Sequence, residues 1–237
     1  MRAGADMNLA IVGYGKMGRL IEQLAPEYGF AVTLRLDVNN NANYEGLTRE
    51  NFQGVDVAVE FSTPTAAIEN IERLARLGVN AVIGTTGWFG ELPRARKAIE
   101  GAGTGLVWSA NFSVGVQIFS QIVAEAARLM ARQPEYGAWA WEIHHATKKD
   151  APSGTLLALV ESMKQSGYGK PIDTSSSRAG TLPGTHEIGF DSAADTITIR
   201  HAARSREGFA RGALRAARWL AGKKGFFDFR EIVNQLE

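Results

Sequence analysis

Five short apolar runs, separated by amphipathic helical patterns, dominate the first half of the chain and leave few folds open to it. Asn8–Val12, Ala31–Leu36, Val55–Phe61, Val79–Ile83 and Gly105–Ser109 are rich in Val, Ile and Leu and have the length of strands rather than of core helices. Between most of them, Lys16–Ala25, Thr65–Leu77 and Leu92–Glu100 carry helical patterns. Near-continuous apolar strands need cover on both faces, which is the habit of a parallel sheet, and short connections then require right-handed crossovers. This half therefore predicts an α/β, doubly wound parallel sheet.

The second half changes character. Val114–Ala131 reads as one long helix, Tyr136–Ile143 as a strand, Thr155–Gln165 as a second helix, and His186–Ser192 with Asp195–Ala202 as a hairpin turning at Ala193-Ala194. The Thr-Ser-Ser-Ser run at 174–177 reads as a loop. Such a mixture predicts an α+β domain with one mixed or antiparallel sheet. A basic amphipathic helix over Phe209–Ala221 is expected to return to the first domain. The expected division is residues 1–112 with 207–237 for one domain and 113–206 for the other.

Composition narrows the function. At 237 residues the chain can bury a sizeable core, and a net charge of +1 supplies no field for nucleic acid or an anionic membrane. The chain has no cysteine, so disulfides and thiolate metal sites are excluded and a cytoplasmic location is expected. No apolar run approaches the roughly 18 residues of a membrane span. The opening MRAGADMN lacks a signal-peptide core and reads as a loose tail, with Met7 an alternative start.

Gly13-Tyr14-Gly15-Lys16-Met17-Gly18 directly follows the first strand and precedes a helix. The first glycine allows a tight turn, the second lets backbone approach a pyrophosphate, and the third lets helix close on strand. Asp37, nineteen residues beyond Gly18 and at the end of the second strand, suits a ribose diol. These features predict a dinucleotide site; the alternative is a plain structural turn. A carboxylate at Asp37 repels a 2′-phosphate, which favours NADH, while Lys16 and Arg35 leave NADPH open. Gly84, Thr85 and Thr86, and Ser109, Ala110, Asn111 and Phe112, follow later strands, where such sheets bind ligands; ordinary loops are the alternative.

The segment EIHHATKKDAPSGT, Glu142–Thr155, concentrates chemistry. If the strand persists through the pair, alternation places His144 on the face of Glu142 and His145 on the face of Trp139, Trp141 and Ile143, so the two histidines have different environments unless the strand ends there. Histidine suits proton donation near neutrality. Asp150 or Ser153 is expected to cap a helix whose first amides, at Gly154 and Thr155, join Lys148 in an anion site; a simple capped helix is the alternative. Adjacent histidines have poor spacing for one metal, and His186 and His201 are distant in sequence, so no metal is expected.

Taken together, EIHHATKKDAPSGT, GYGKMG, VEFSTP at 59–64, IGTTG at 83–87, ANFSVGV at 110–116, RAGTLPGTH at 178–186 and the terminal FARGALRAARWLAGKKGFFDF resemble the dihydrodipicolinate reductases, also called 4-hydroxy-tetrahydrodipicolinate reductases. The likeness runs in order from Met7 onward. It implies a Rossmann-type domain beside a substrate-binding and oligomerisation domain, and an NAD(P)H-dependent step of lysine and diaminopimelate synthesis, with hydride passing to ring C4. It further implies His144 as general acid and Lys148 as its assistant and a substrate ligand. His145 would contact substrate, a small dicarboxylate, with Ser153, Gly154 and Thr155 at a carboxylate. Gly13 to Gly18, Asp37, Gly84 to Thr86 and Ser109 to Phe112 would line the cofactor, and a homotetramer is implied. The glycine loop is one residue shorter than the family's commoner form, and Arg200-His201 replaces a usual Thr-His. The competing readings are another two-domain dehydrogenase of an amino acid or sugar, and a dinucleotide sensor without turnover.

Overall fold

The computed structural model describes residues 7–236, so the reading of the first six residues as a tail lies outside the described residues. The chain divides into two compact units, Met1–Val114 with Glu207–Glu237, and Gly115–Arg206.

The first unit is built on six strands: β1 (Met7–Val12), β2 (Phe30–Leu36), β3 (Val57–Glu60), β4 (Asn80–Ile83), β5 (Gly105–Trp108) and, from the far end of the chain, β10 (Gly225–Asp228). They form one sheet in the order β10-β5-β4-β3-β1-β2, with every pairing parallel. Crossover helices α1 (Lys16–Leu24), α2 (Pro64–Leu77) and α3 (Leu92–Ala102) connect them, and α6 (Glu207–Trp219) and α7 (Phe229–Ile232) complete the unit. Alternate strand residues serve opposite faces. Ala10, Val12, Ala58, Ala81 and Ile83 pack with Ile71 and Leu74 of α2 and Ile99 of α3. Leu9, Ile11, Val59 and Val82, equally buried, point the other way, where α6 meets α1, β3 and β4. Double burial explains why these strands are apolar without alternation. Strand β10 was not expected from the sequence. Four residues at a sheet edge, directly after Lys223-Lys224, are too few to show a period.

In the second unit, β6 (Gly137–His144) runs parallel to β7 (Ile172–Arg178) and antiparallel to β8 (Thr185–Asp191), which pairs antiparallel with β9 (Thr196–Ala202). The resulting four-stranded sheet has the order β7-β6-β8-β9. Helices α4 (Val114–Met130) and α5 (Gly154–Gln165) cover one face. Phe119, Val123, Leu156, Leu159 and Met163 bury Ala138, Ala140, Ile188 and Phe190 there. The small alanines of β6, not its tryptophans, thus face the helices. Trp139 lies over Gly189, where a β-carbon would stand 2.1 Å from the indole. The loop expected at 174–177 is instead part of strand β7. This edge strand carries no apolar signal, and Ser176 and Ser177 spend their hydroxyls on neighbours, Ser177 accepting from Trp141 Nε1 at 3.2 Å.

Candidate active site

Strands β1, β3, β4 and β5 end level with one another, since Val12 pairs with Glu60, Glu60 with Ile83 and Ile83 with Trp108. The loops that follow therefore share one edge of the sheet. At the first, Gly13 has φ +97°, and a β-carbon there would lie 2.2 Å from the Phe61 carbonyl oxygen. At Gly18 a β-carbon would meet the Gly13 carbonyl oxygen at 2.5 Å, whereas nothing lies within 4 Å of the same position on Gly15. Two glycines are thus demanded by packing, and the third leaves open space before α1, whose amino terminus has no side-chain cap. That cradle fits the pyrophosphate of a dinucleotide. Lys16 is exposed and Met17 half-buried beside it. The Tyr14 hydroxyl donates to Glu22, which also accepts from Arg35 Nε at 2.6 Å. Arg35 is therefore already engaged by an acid.

Asp37 follows β2, and its carboxylate accepts from the Asn39 amide at 2.8 Å while its own amide donates to Asn40 Oδ1 at 2.8 Å. The asparagines after Asp37 thus fix the acid in place. Gly84 is required because a β-carbon would fall 2.1 Å from the Phe61 ring. Thr85 is buried, its hydroxyl accepting from the Ser62 amide at 2.7 Å, and Thr86 is exposed. Ser109 spends its hydroxyl within its own loop, donating to Asn111 O at 2.9 Å, and Ala110 is exposed beside it. Phe112 is buried against Phe229, ring centroids 4.7 Å apart, so it offers backbone rather than ring to a ligand.

Beneath these loops lies Glu60, wholly buried. Its Oε1 accepts from the Ser62 amide at 3.2 Å and Asn70 Nδ2 at 3.1 Å, while Glu60 Oε2 and Asn70 Oδ1 are buried acceptors without donors among the described residues. Burial pushes the Glu60 carboxyl up, which favours its neutral form relative to an exposed carboxylate. Glu60→Gln, which mimics the neutral acid, is expected to leave Tm nearly unchanged. Glu60→Ala should cost about 1–3 kcal/mol by leaving the Ser62 and Asn70 donors unpaired. Thermal unfolding of both variants checks this, and a Gln variant as damaged as the Ala one would show that the carboxyl is ionised.

In the second unit, sheet register assembles a polar cluster. Glu142 on β6 pairs with Ser176 on β7 and His186 on β8, and His144 pairs with Arg178. Cross-strand partners share a face, here the face covered by α5. Glu142 is wholly buried, and Oε1 accepts from the Ser153 amide at 2.8 Å, Ser176 Oγ at 3.0 Å and Arg178 Nη2 at 2.9 Å. Oε2 accepts from the Ser153 hydroxyl and lies 3.3 Å from His144 Nδ1 and 3.4 Å from His186 Nε2. The His144–Glu142 contact has ion-pair distance but not hydrogen-bond alignment, since Nδ1 counts among the buried atoms without a hydrogen-bond partner. Burial would raise the Glu142 carboxyl, but donors from Ser153, Arg178 and Ser176 outweigh it and hold it at about 2. Burial, then the neighbouring His144 charge, presses His186 to about 4, and burial likewise lowers His144.

The remaining residues expected at this site fall on the segment from β6 to α5. His145, just past the strand end, is half-buried, with Nδ1 2.8 Å from Thr147 Oγ1. Lys148 Nζ donates to Asp150 at 2.8 Å. Ser153 rather than Asp150 caps α5, accepting from the Leu156 amide at 3.2 Å, and Gly154 and Thr155 open its first turn with clear space around Gly154. Glu142, Arg178 and His186 received no role from sequence spacing. The available signal was alternation, which put Glu142 on the face of His144; the partners on β7 and β8 need the sheet register. Distance along the chain also misjudged His186, because ligand-type atoms of Glu142, His144 and His186 lie within 4.8 Å of one another. Arg178 and Ser153 already fill the carboxylate, so a cation there would meet a guanidinium.

The depressed groups, Glu142 and His186 most of all, make the second unit acid-sensitive. His186 titrates near 6.5 when unfolded and about 4 when folded, so the unfolded chain binds the extra proton and stability falls as pH drops through that window. Glu142 adds a further loss between 4.5 and about 2. Urea unfolding at stepped pH should lose about 3 kcal/mol for His186 alone, and His186→Asn should flatten the upper window.

A parallel sheet with a glycine cradle at its strand ends, joined in one chain to a histidine–lysine cluster at a helix start, defines an oxidoreductase of the dinucleotide-binding class. Residues 7–112 match the family described as dihydrodipicolinate reductase, N-terminus, and residues 115–233 match dihydrodipicolinate reductase, C-terminus. The chain belongs to the dihydrodipicolinate reductase family. It is 33% identical over 97% of its length to the 4-hydroxy-tetrahydrodipicolinate reductase of Christiangramia forsetii, covering 99% of that protein. With the enzyme of the same name from Archaeoglobus fulgidus it shares 35% identity, over 96% of this chain and 100% of that one. Its fold is similar to that of a dipicolinate-bound dihydrodipicolinate reductase from Paenisporosarcina sp. TG-14, with a TM-score of 0.78 at 22% identity, covering 98% and 100% of the two chains. Among the described residues no helix is long and apolar enough to cross a membrane.

Proposed function

We propose that the chain reduces 4-hydroxy-tetrahydrodipicolinate, or its dehydrated form, to tetrahydrodipicolinate in diaminopimelate and lysine synthesis in the cytoplasm. The observation that carries this is the run from His144 through Lys148 to the Ser153-capped start of α5. It places a proton donor, a cation and the opening amides of a helix, that of Gly154 turned to the Asp150 carboxylate, within one short segment. Those are the groups a dianionic ring requires while it takes up a proton. Lys148, held by Asp150 at 2.8 Å, exchanges that partner for a substrate carboxylate; the Gly154 and Thr155 amides take up the same class of group, while Ser153, buried with both donors on Glu142, holds the helix start in place, and His145 lies one residue beyond the donor.

Gly13 to Gly18, Asp37, and the loops at Gly84–Thr86 and Ser109–Phe112 would hold NADH in preference to NADPH. The chemistry supplied by that group when bound is hydride transfer to ring C4. The residues of this chain bind and align it, fix the ring by its carboxylates and deliver a proton from His144. The support for NADH is Asp37 pinned by Asn39 and Arg35 engaged by Glu22, which leaves a 2′-phosphate a fixed negative neighbour. A kcat/KM ratio strongly favouring NADPH would overturn that choice. The sheet face bearing Trp139, Trp141 and Ile143, half-exposed opposite the helices, supports a homotetramer formed through this unit, and a solution mass measurement decides it.

Dipicolinate, a planar ring dicarboxylate, tests the site itself. Calorimetric titration of the cofactor-loaded protein should show binding, and Lys148→Ala should weaken it at least about tenfold, or about 1.4 kcal/mol. Absence of binding to the unaltered protein would remove the proposed substrate class.

A further inference from the structure

We infer that Glu142 is a positioning carboxylate for the proton donor: it holds His144 through Nδ1, leaves Nε2 for the substrate, and ties that histidine through Ser153 to the anion-binding start of α5. The inference rests on His144 being the donor, as proposed above.

Three observations carry it. First, the Glu142 carboxylate has no freedom. It is wholly buried, and Ser153, Ser176 and Arg178 fix Oε1 from three directions at 2.8–3.0 Å. A buried carboxylate with so many donors stays ionised and immobile, as a group that sets the orientation of another must. Second, His144 Nδ1 is enclosed, and Glu142 Oε2 stands at ion-pair distance from it, 3.3 Å. A proton on Nδ1 has the carboxylate as its acceptor after a small ring rotation, and the second proton of an imidazolium must then sit on Nε2. That nitrogen lies over Gly184, where an added β-carbon would approach to 2.8 Å. Third, Ser153 makes two connections at once: it caps α5 through the Leu156 amide at 3.2 Å and donates both amide and hydroxyl to Glu142. The helix start that takes up substrate and the histidine that protonates it are thereby held to the same carboxylate.

His186 competes for Oε2 from 3.4 Å, and its ring meets that of His144 edge-on with centroids 5.1 Å apart. Only one of two touching imidazoles readily carries charge, and His186, pressed to about 4, is the neutral one at working pH. The charged groups facing His144 are Glu142, which favours its imidazolium, Lys148 and Arg178, which oppose it, and Asp150, which favours it. Loss of Glu142 therefore removes the nearest counter-charge and makes the acid form scarcer.

The test compares Glu142→Gln, His144→Gln and the double variant in steady-state kinetics across pH. Glu142→Gln should lower kcat about 10–100-fold with KM within a few-fold. It should also move the alkaline limb of kcat/KM about one pH unit or more toward acid. The double variant should be no slower than His144→Gln alone, because residues acting as a unit are not additive. Multiplicative losses, or an unmoved limb, would overturn the role of Glu142. An undiminished kcat in His144→Gln would instead remove the donor assignment, so the two failures are distinguishable. Should Glu142→Gln fold poorly for want of an Arg178 partner, nitrogen-15 spectra of the unaltered protein decide the same point, with four histidines to assign. Neutral His144 should carry its proton on Nδ1; a proton on Nε2 instead would overturn the inference.

Discussion

Replacing His144 by Gln should lower kcat by about 10²–10⁴-fold while KM stays within a few-fold. The residue is 7% exposed, so it contributes little to the initial capture of a ligand from solvent. Its place is at the end of β6, where the buried face carrying Glu142 gives way to the turn leading to Lys148. A donor used only as the ring is protonated affects the transition state and not the ground-state complex, which is the kinetic signature of a kcat effect. Lys148→Ala should differ in kind, raising KM and lowering kcat together, because in the proposed site the ammonium would both hold a substrate carboxylate and favour proton release from His144. A His144→Gln enzyme with unchanged kcat would refute the acid assignment while leaving the anion site intact.

Gly184→Ala should be nearly as damaging, although a glycine has no side chain to take part in the chemistry. Gly184 has φ +144°, outside the range that side-chain-bearing residues adopt, and an added β-carbon would lie 2.8 Å from His144 Nε2 and 2.9 Å from Cδ2. The backbone strain alone is about 1–3 kcal/mol, which at about 2–4 °C per kcal/mol for a chain of this size lowers Tm by several degrees. The larger effect is on His144. The backbone at Gly184 is tied down by its carbonyl accepting from the Ala203 amide at 2.9 Å, so the imidazole must turn away. A misaligned donor loses about 10²-fold in rate. Gly154→Ala is the control for stability, since nothing lies within 4 Å of its β-carbon position. Equal Tm losses in the two variants, with activity retained in Gly184→Ala, would contradict this reading of the contact.

The sequence was most legible where one physical cause governs a whole element. The strands of the first unit are apolar throughout because both faces are covered, and the glycine loop announces itself because Gly13 and Gly18 have backbone where a side chain would go. Legibility failed at sheet edges. Thr174–Ser177 carries no apolar period and reads as a loop, which hides the strand that carries Ser176 and Arg178 to Glu142. Phe226-Phe227 is too short to show that β10 exists. In the candidate site, the segment from His144 to Thr155 could be read because its parts are neighbours in sequence. Arg178 and His186 reach Glu142 only through parallel and antiparallel pairing with β6, and strand register is not written in any local spacing. The burial of the Ala138–Ala140 face rather than the Trp139–Trp141 face is a related case. Small residues were needed where α4 and α5 press closely on the sheet, which residue hydrophobicity alone does not reveal.

The most direct measurement is oxidation of NADH and of NADPH by the purified chain, with and without freshly generated 4-hydroxy-tetrahydrodipicolinate. Oxidation should depend on that substrate, proceed with higher kcat/KM for NADH, and fall by about 10²-fold or more in His144→Gln. No substrate-dependent oxidation with either cofactor would contradict the proposed reaction.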